Sequence, residues 1–420
     1  MTTTTTAPAP GVRRLLHPDP AVRRLTWMVL VNMLGTGMYL TVSALYFTRV
    51  VGLGAGQVGL GLTVGGVCGV VASVPAGRAA DRWGSRRVLG VLFVLEAVGM
   101  AAYTQVDSFP AFLVLVCVET ALVEAAGTAT GALYAEALPA ETRMAGRGYL
   151  RAVANVGFGA GAACAALALQ ADTRGGYVVV ILVNALTFAA AAALLPGIPL
   201  VADRDPEEPG GEAPAAGPGD TKRRRALRDV PFLAVTALGG LMALQFAVLN
   251  VGLPLWIVQH TDAPRALVAA TMVLNTVLVV ALQVRATRVT RDPRSAARAC
   301  RRAGLLLAVA CLVFAAAHGL PGWAAALVLL AGVALQVLGE VLSEAGSWLL
   351  GYDLADPRAI GEYQGVFNAG KVAALTLGPA VVTATAVAHG LAGWAFLAAV
   401  FTAAGAAMPA AVRWAAAGRT

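Results

Sequence analysis

Gly77-Arg78-Ala79-Ala80-Asp81-Arg82-Trp83-Gly84-Ser85-Arg86-Arg87 separates two long apolar runs and gathers two glycines, one acid and four arginines into a tight polar turn. Each residue type has a physical use there. Glycine lets backbones approach closely. Arginine favours the surface of an anionic lipid leaflet. Asp81 has to find a cation or the positive end of a helix.

Outward from this turn the chain is apolar for long stretches. It is 58% hydrophobic and 13% charged, against roughly a quarter charged in a soluble domain, so a soluble fold could not cover its apolar surface. A bilayer core takes about 20 residues of helix, and sorting the runs by that length predicts about twelve spans, an all-α integral membrane protein. The first six run Thr26 to Thr48, Gln57 to Gly77, Val88 to Val106, Pro110 to Glu136, Gly148 to Leu169 and Gly176 to Pro196. The second six run Pro231 to Ile257, Ala266 to Val284, Ala303 to His318, Gly322 to Leu349, Gly361 to Ala388 and Ala392 to Val412. Ala303 to His318 is short for a span.

Positive charge orients the bundle. Arg13, Arg14, Arg23 and Arg24 precede the first span, Arg143, Arg147 and Arg151 crowd the approach to the fifth, and Arg285, Arg288, Arg291, Arg294, Arg298, Arg301 and Arg302 fill the loop before the ninth. The other side carries only Arg49, Arg174 and Arg265, so the positive-inside rule puts both termini in the cytoplasm. The net charge of +8 follows without a nucleic-acid partner. Trp27, Trp256, Trp323, Trp348, Trp394 and Trp414 fall near span ends, where an interfacial aromatic belt is expected. Met1 to Pro20 lacks the apolar core of a signal peptide, so the first span directs insertion. Cys68, Cys117, Cys164, Cys300 and Cys311 show no ligand spacing and read as packing residues, with no disulfide expected. His260, His318 and His389 sit separately at external ends, so neither a metal site nor a cofactor is expected.

Between Ile198 and Asp229 hydrophobicity collapses into an acidic, then Ala/Pro/Gly-rich, then basic stretch, which reads as a cytoplasmic linker. The organisation is therefore a tail at 1–25, a six-span half at 26–197, the linker at 198–229, a second half at 230–413 and a tail at 414–420. The halves echo one another. Shifting Gly148, Asn155 and Gly157 by 213 positions lands on Gly361, Asn368 and Gly370.

The Gly77 to Arg87 stretch resembles the G-x-x-x-D-R-x-G-x-R-R-like signature between the second and third helices of major facilitator superfamily transporters, with every spaced element kept. Gly157-Phe158-Gly159-Ala160-Gly161 and Gly378-Pro379 are similar to the glycine-rich motif of its drug/proton antiporters, although the first copy lacks the usual Gly-Pro pair. The arginine those antiporters carry in the fourth helix is absent, where the chain reads Glu119-Thr120-Ala121-Leu122-Val123-Glu124. The resemblance implies twelve transmembrane helices in two pseudo-symmetric halves that rock about a central cavity. It also implies that Gly77, Asp81, Arg82, Gly84, Arg86 and Arg87 form a conformational latch, with Asp81 near the start of the eleventh helix at Gly361 to Gln364. Gly157, Gly161, Gly378 and Pro379 then serve helix packing or gating, with plain close packing as the alternative.

Ionisable side chains at bilayer depth are functional candidates by default. Glu96 lies in the third span, and Glu119 and Glu124 in the fourth; Glu340 and Glu344 share a face of the tenth, and Lys371 lies in the eleventh. On a helix these two fourth-span acids stand about 140° apart, so one of them is expected to face a cavity. Glu119 is the first choice as the coupling carboxyl, Glu124 the reserve, and Glu96 is read as a structural hydrogen-bond partner. Glu340 and Glu344 could instead pair with Lys371. Asn32, Tyr39, Gln245, Asn250 and Asn275 are candidates to complete the cavity wall. No G-x-x-x-x-G-K-[ST] motif is present, which argues against direct ATP use, and no clustered acidic or histidine motif suggests an enzyme. The expectation is a monomeric proton-coupled antiporter in the cell membrane, exporting lipophilic or cationic small molecules. The alternatives are a carrier of a neutral or anionic metabolite with Lys371 as counter-ion, and a non-transporting scaffold or sensor.

Overall fold

The computed structural model describes residues 19–171, 173–201, 225–287 and 290–417. Those residues form helices, with no strand among them. In chain order the helices are α1 (Pro20–Val50), α2 (Ala55–Trp83), α3 (Ser85–Gln105), α4 (Phe109–Ala137), α5 (Ala140–Ala171) and α6 (Arg174–Gly197). After the linker come α7 (Val230–His260), α8 (Leu267–Thr287), α9 (Pro293–Ala316), α10 (Gly322–Asp353), α11 (Ile360–Val387) and α12 (Leu391–Ala417). Ten of them are long and apolar enough to cross a membrane, all but α5 and α8.

Local chemistry sets the boundaries. Asp19 caps α1, its Oδ1 accepting from the Ala21 N–H at 2.7 Å, with Pro20 at the first helical position. Asp292 and Ser295 form a reciprocal capping box at α9, again followed by a proline. Asp229 accepts from the Phe232 N–H at 3.1 Å at α7. Wide π-type turns interrupt α7 at Val248–Gly252 and end α11 at Thr383–Val387, four residues beyond Pro379.

Several sequence expectations change. The signature, expected as one polar turn between spans, is itself almost wholly helical, because α2 runs through to Trp83 and α3 starts at Ser85. Gly84 alone turns the chain, at φ +85, where a side chain would be strained. The span expected at Ala303 to His318 starts at Pro293, since alanine and arginine are good helix formers and the arginines need only one solvated face. Arg294, Arg298, Arg301 and Arg302 are exposed while Ala296, Cys300, Ala303 and Leu307 are buried. Arg143, Arg147 and Arg151 likewise belong to α5, which begins eight residues before Gly148. The aromatic belt is thinner than expected. Trp27, Trp323 and Trp414 are exposed, but Trp256, Trp348 and Trp394 are buried because the ends they mark are covered by neighbouring helices. His260 and His318 are not separate, the His318 Nδ1 lying 2.8 Å from the His260 carbonyl. The first helix starts at Pro20, inside the expected tail at 1–25, and residues 1–18 and the central part of the linker, 202–224, lie outside the described residues.

Each half buries its own core. Leu25, Phe93, Phe112, Leu133, Ile181 and Phe188 fill the first; Leu253, Trp256, Phe314, Val333, Trp394 and Phe401 fill the larger cluster of the second. Val71, Val98, Val114, Leu186, Val273 and Leu327 stand exposed on the outside, an apolar shell suited to lipid.

Candidate functional site

A cavity of about 590 Å³ lies between the halves, walled by all six helices of the first, α2 through Leu62 alone, and by Glu344, Trp348 and Lys371 of the second. Leu40, Leu62 and Val123 are exposed although they line it; Val123 lies in the middle of α4, and we take the mouth to be at Leu40 and Leu62, toward the helix ends remote from the arginines of the α2–α3 turn.

The opposite end is shut by contacts between the halves. Asp81 Oδ1 accepts from the Gly361 N–H at 2.6 Å and Oδ2 from the Glu362 N–H at 3.0 Å. α11 needs this, because its own N-cap residue, Ala359, has no side-chain acceptor. Arg78 pairs with Glu362 at 3.0 Å. Gly77 and Gly361 meet backbone to backbone, and a Cβ on either would collide with the other's carbonyl oxygen. The contact continues through Ser73 at Gly365 to Gly66 at Thr376; Gly59 and Gly56, further toward the mouth, would meet nothing within 4 Å. Arg82, Gly84 and Arg87 flank the contact without joining it, Arg82 lying 5.9 Å over the Trp83 ring, and Arg86 reaches the Pro196 carbonyl at 3.5 Å. A second closure uses Arg147, which donates to the Tyr352 hydroxyl at 2.6 Å and lies 4.8 Å over Trp348. That hydroxyl donates in turn to the Gly131 carbonyl at 2.8 Å.

The acids fall into two environments. Glu124 accepts from Asn368 Nδ2 at 3.1 Å, and Glu344 meets Lys371 Nζ at 3.4 Å. Glu119 and Glu96 are 4% and 1% exposed, and neither Glu119 oxygen nor Glu96 Oε1 has a hydrogen-bond partner among the described residues. Both fourth-helix acids line the cavity, against the expectation of one, because the space wraps α4 from its α1 and α3 side to its α11 side. Glu96 lines it too, rather than being consumed in a structural bond. Asn32 and Tyr39 are in the wall, whereas Gln245, Asn250, Asn275 and Glu340 are not. Gln245 is buried and its carbonyl accepts from Gln336 Nε2 at 3.4 Å; Asn250 is exposed and donates to its own helix at Phe246; Asn275 donates to Glu340 at 3.2 Å. The packing glycines lie against neighbours: Gly157 and Gly161 of α5 against Leu30, Met33 and Leu34 of α1, and Gly378 against Ala247 of α7, with Pro379 inside α11.

A family model described as Major Facilitator Superfamily matches residues 25–379. The chain belongs to the major facilitator superfamily. Solved superfamily-like folds agree over nearly the full length. A bacterial homologue of the iron transporter ferroportin in an outward-facing state is similar with TM-score 0.71 at 14% identity, covering 95% of this chain and 100% of that one. The proton:xylose symporter XylE gives 0.68 at 14%, covering 93% and 96%. The human organic anion transporter TETRAN gives 0.65 at 18%, covering 93% and 100%. At such identities the likeness is one of fold. No curated protein sequence gives a significant match.

Within this superfamily fold, sequence reasoning missed Asn184, Tyr103, Arg147 and Trp348 as wall residues. Asn184, a lone amide in an otherwise apolar stretch of α6, could have been found from its type alone. Arg147 could not, since its place in a basic cluster gave no sign that it turns inward.

Proposed function

We propose that this chain is a secondary active exporter of lipophilic or cationic small molecules, driven by inward proton flow. All twelve helices cross the cell membrane, both termini are cytoplasmic, and the protein works as a monomer by alternating access. In that frame the arginine-bearing end is cytoplasmic and closed, and the cavity opens outward. Carboxyls at the centre of such a cavity can bind a cation or a proton in alternation, which is the chemistry that exchange requires. The observation that carries this reading is Glu119, buried in the cavity wall with neither oxygen partnered among the described residues.

The rival reading, an anionic or neutral cargo neutralised by Lys371, is less well supported because Glu344 already engages that lysine. The test is Glu119→Gln in proteoliposomes with an imposed pH gradient, using tetraphenylphosphonium and ethidium as probes. An amide cannot release a proton, so uphill movement should disappear while downhill exchange persists. Glu124→Gln is the companion variant. If both variants take up protons on probe addition as the parent does, the assignment of the coupling carboxyl is wrong.

A further inference from the structure

We propose that a recess of the cavity between α1, α3, α4 and α6 recognises a protonated primary or secondary amine, with Glu96 and Glu119 as paired acceptors. This rests on the cavity being the transport path and names the chemistry of what it takes. Asn32, Glu96, Glu119 and Asn184 come from these helices, all line the cavity, and all are at least nine-tenths buried, at 8%, 1%, 4% and 1% exposure. Each leaves polar atoms without a protein partner among the described residues: the two amide nitrogens, Glu96 Oε1 and both Glu119 oxygens. Unpaired buried polar groups cost stability, and buried carboxylates cost more. So many in one place are better explained by a ligand than by folding.

The acids are adjacent by construction. Gly99 lies three residues beyond Glu96, one turn along α3, and a Cβ there would strike the Glu119 carboxyl. Glycine thus reserves the space in which that carboxyl sits beside Glu96. On α1, Gly35 does the same for Asn184 and Thr187. Thr187 donates to Asn184 Oδ1 at 3.3 Å, which leaves the amide nitrogen to serve as a donor. Of the three cations that line the cavity, Lys371 meets Glu344 at 3.4 Å and Arg147 donates to Tyr352 at 2.6 Å, and Arg151 belongs to α5, which is not one of the four helices of the recess.

Three unpartnered carboxyl oxygens match the N–H donors of an ammonium group. The amide nitrogens suit an oxygen on the same ligand. Stacked Tyr39 and Tyr103, 5.9 Å between centroids, and the Phe93–Phe188 pair at 6.3 Å offer faces for an aromatic body and for the cation itself. A quaternary ammonium carries the charge but no N–H, so the recess should tell the two apart.

The experiment compares 1-naphthylmethylamine with its N,N,N-trimethyl analogue, both cationic at pH 7, binding to the full chain in detergent by calorimetry and by thermal-shift. The parent should prefer the primary amine about tenfold, Glu96→Gln should abolish that preference, and Gly99→Ala should weaken the primary amine by crowding Glu119. Equal affinity of the parent for both probes overturns the proposal even if no variant folds, and so does a full preference retained in Glu96→Gln. Gradient-driven transport of the quaternary probe without any amine preference would sink this inference and leave the exporter reading standing. Amine-selective binding with no gradient-driven transport of either probe would do the reverse.

Discussion

At the scale of single residues, Asp81 is an N-cap supplied from a distance. α11 begins after Ala359, which has no side chain to accept its free N–H groups, and the carboxylate that does so belongs to α2. Each carboxylate bond to a peptide N–H is of the charge-assisted kind. Asp81→Asn keeps the shape, removes the charge and turns one acceptor into a donor facing an N–H, so the closed end should lose about 1.5 kcal/mol, roughly tenfold in the closed-to-open ratio. Transport by this variant should fall several-fold while the amount of folded protein in the membrane stays at the parental level; normal transport at normal expression would contradict the latch. The need of Asp81 for a positive helix end was legible in the sequence, because a lone acid among arginines at a span end has few other options. Its service to Ala359 was not, since a missing cap is invisible until the helix start is known. Likewise the mid-span acids could be picked out by depth alone. Which of them line a cavity depends on the path the cavity takes around α4, and one helical wheel does not contain that path.

At the scale of elements, most spans were readable because apolar length is a strong signal. The failures were at polar beginnings. α9 carries four exposed arginines in its first three turns, so hydropathy starts it ten residues late at Ala303. Its true start was written in local chemistry instead, as Asp292-Pro293-Arg294-Ser295, a capping box around a proline. Replacing Asp292 with Ala should cost about 1 kcal/mol of stability, read as a lower unfolding temperature in detergent. The backbone N–H of Ser295, chiefly, holds the Asp292 carboxyl below the usual carboxylate range. A group lowered on folding contributes stability that is complete above its unfolded value, about 3.9, and fades as pH falls through the lower folded value. The gap between parent and Asp292→Ala should therefore be constant near neutrality and close only below about pH 4. A gap that widened on acidification would contradict the cap.

At the scale of the whole molecule, the two halves meet firmly at one end and part at the other, which predicts a sidedness. In a background without the native cysteines, Thr36→Cys in the cavity wall should react with a membrane-impermeant maleimide added outside intact cells. Adding Asp81→Asn should slow that labelling by releasing the far end. Labelling of Thr36→Cys solely from the cytoplasmic face would overturn the outward orientation. The closed end also bears on how easily the molecule can be tipped. Among the described residues its polar ties include the two Asp81 bonds, Arg78 with Glu362, Arg147 with Tyr352, Tyr352 with Gly131, and Asn368 with Glu124 and Ser73. Each joins groups that water can serve almost equally well when they part, so each contributes on the order of 1 kcal/mol net. If the molecule alternates between two orientations as proposed, these ties separate them by a few kcal/mol, not tens. A cargo that favours one orientation about a hundredfold supplies roughly 2.8 kcal/mol, and swinging the populations fully, from 1:99 to 99:1, takes about ten-thousandfold. On the proposed proton-coupled reading, a seam built of glycine backbone and exchangeable partners leaves the balance of states within reach of one small ligand and one proton.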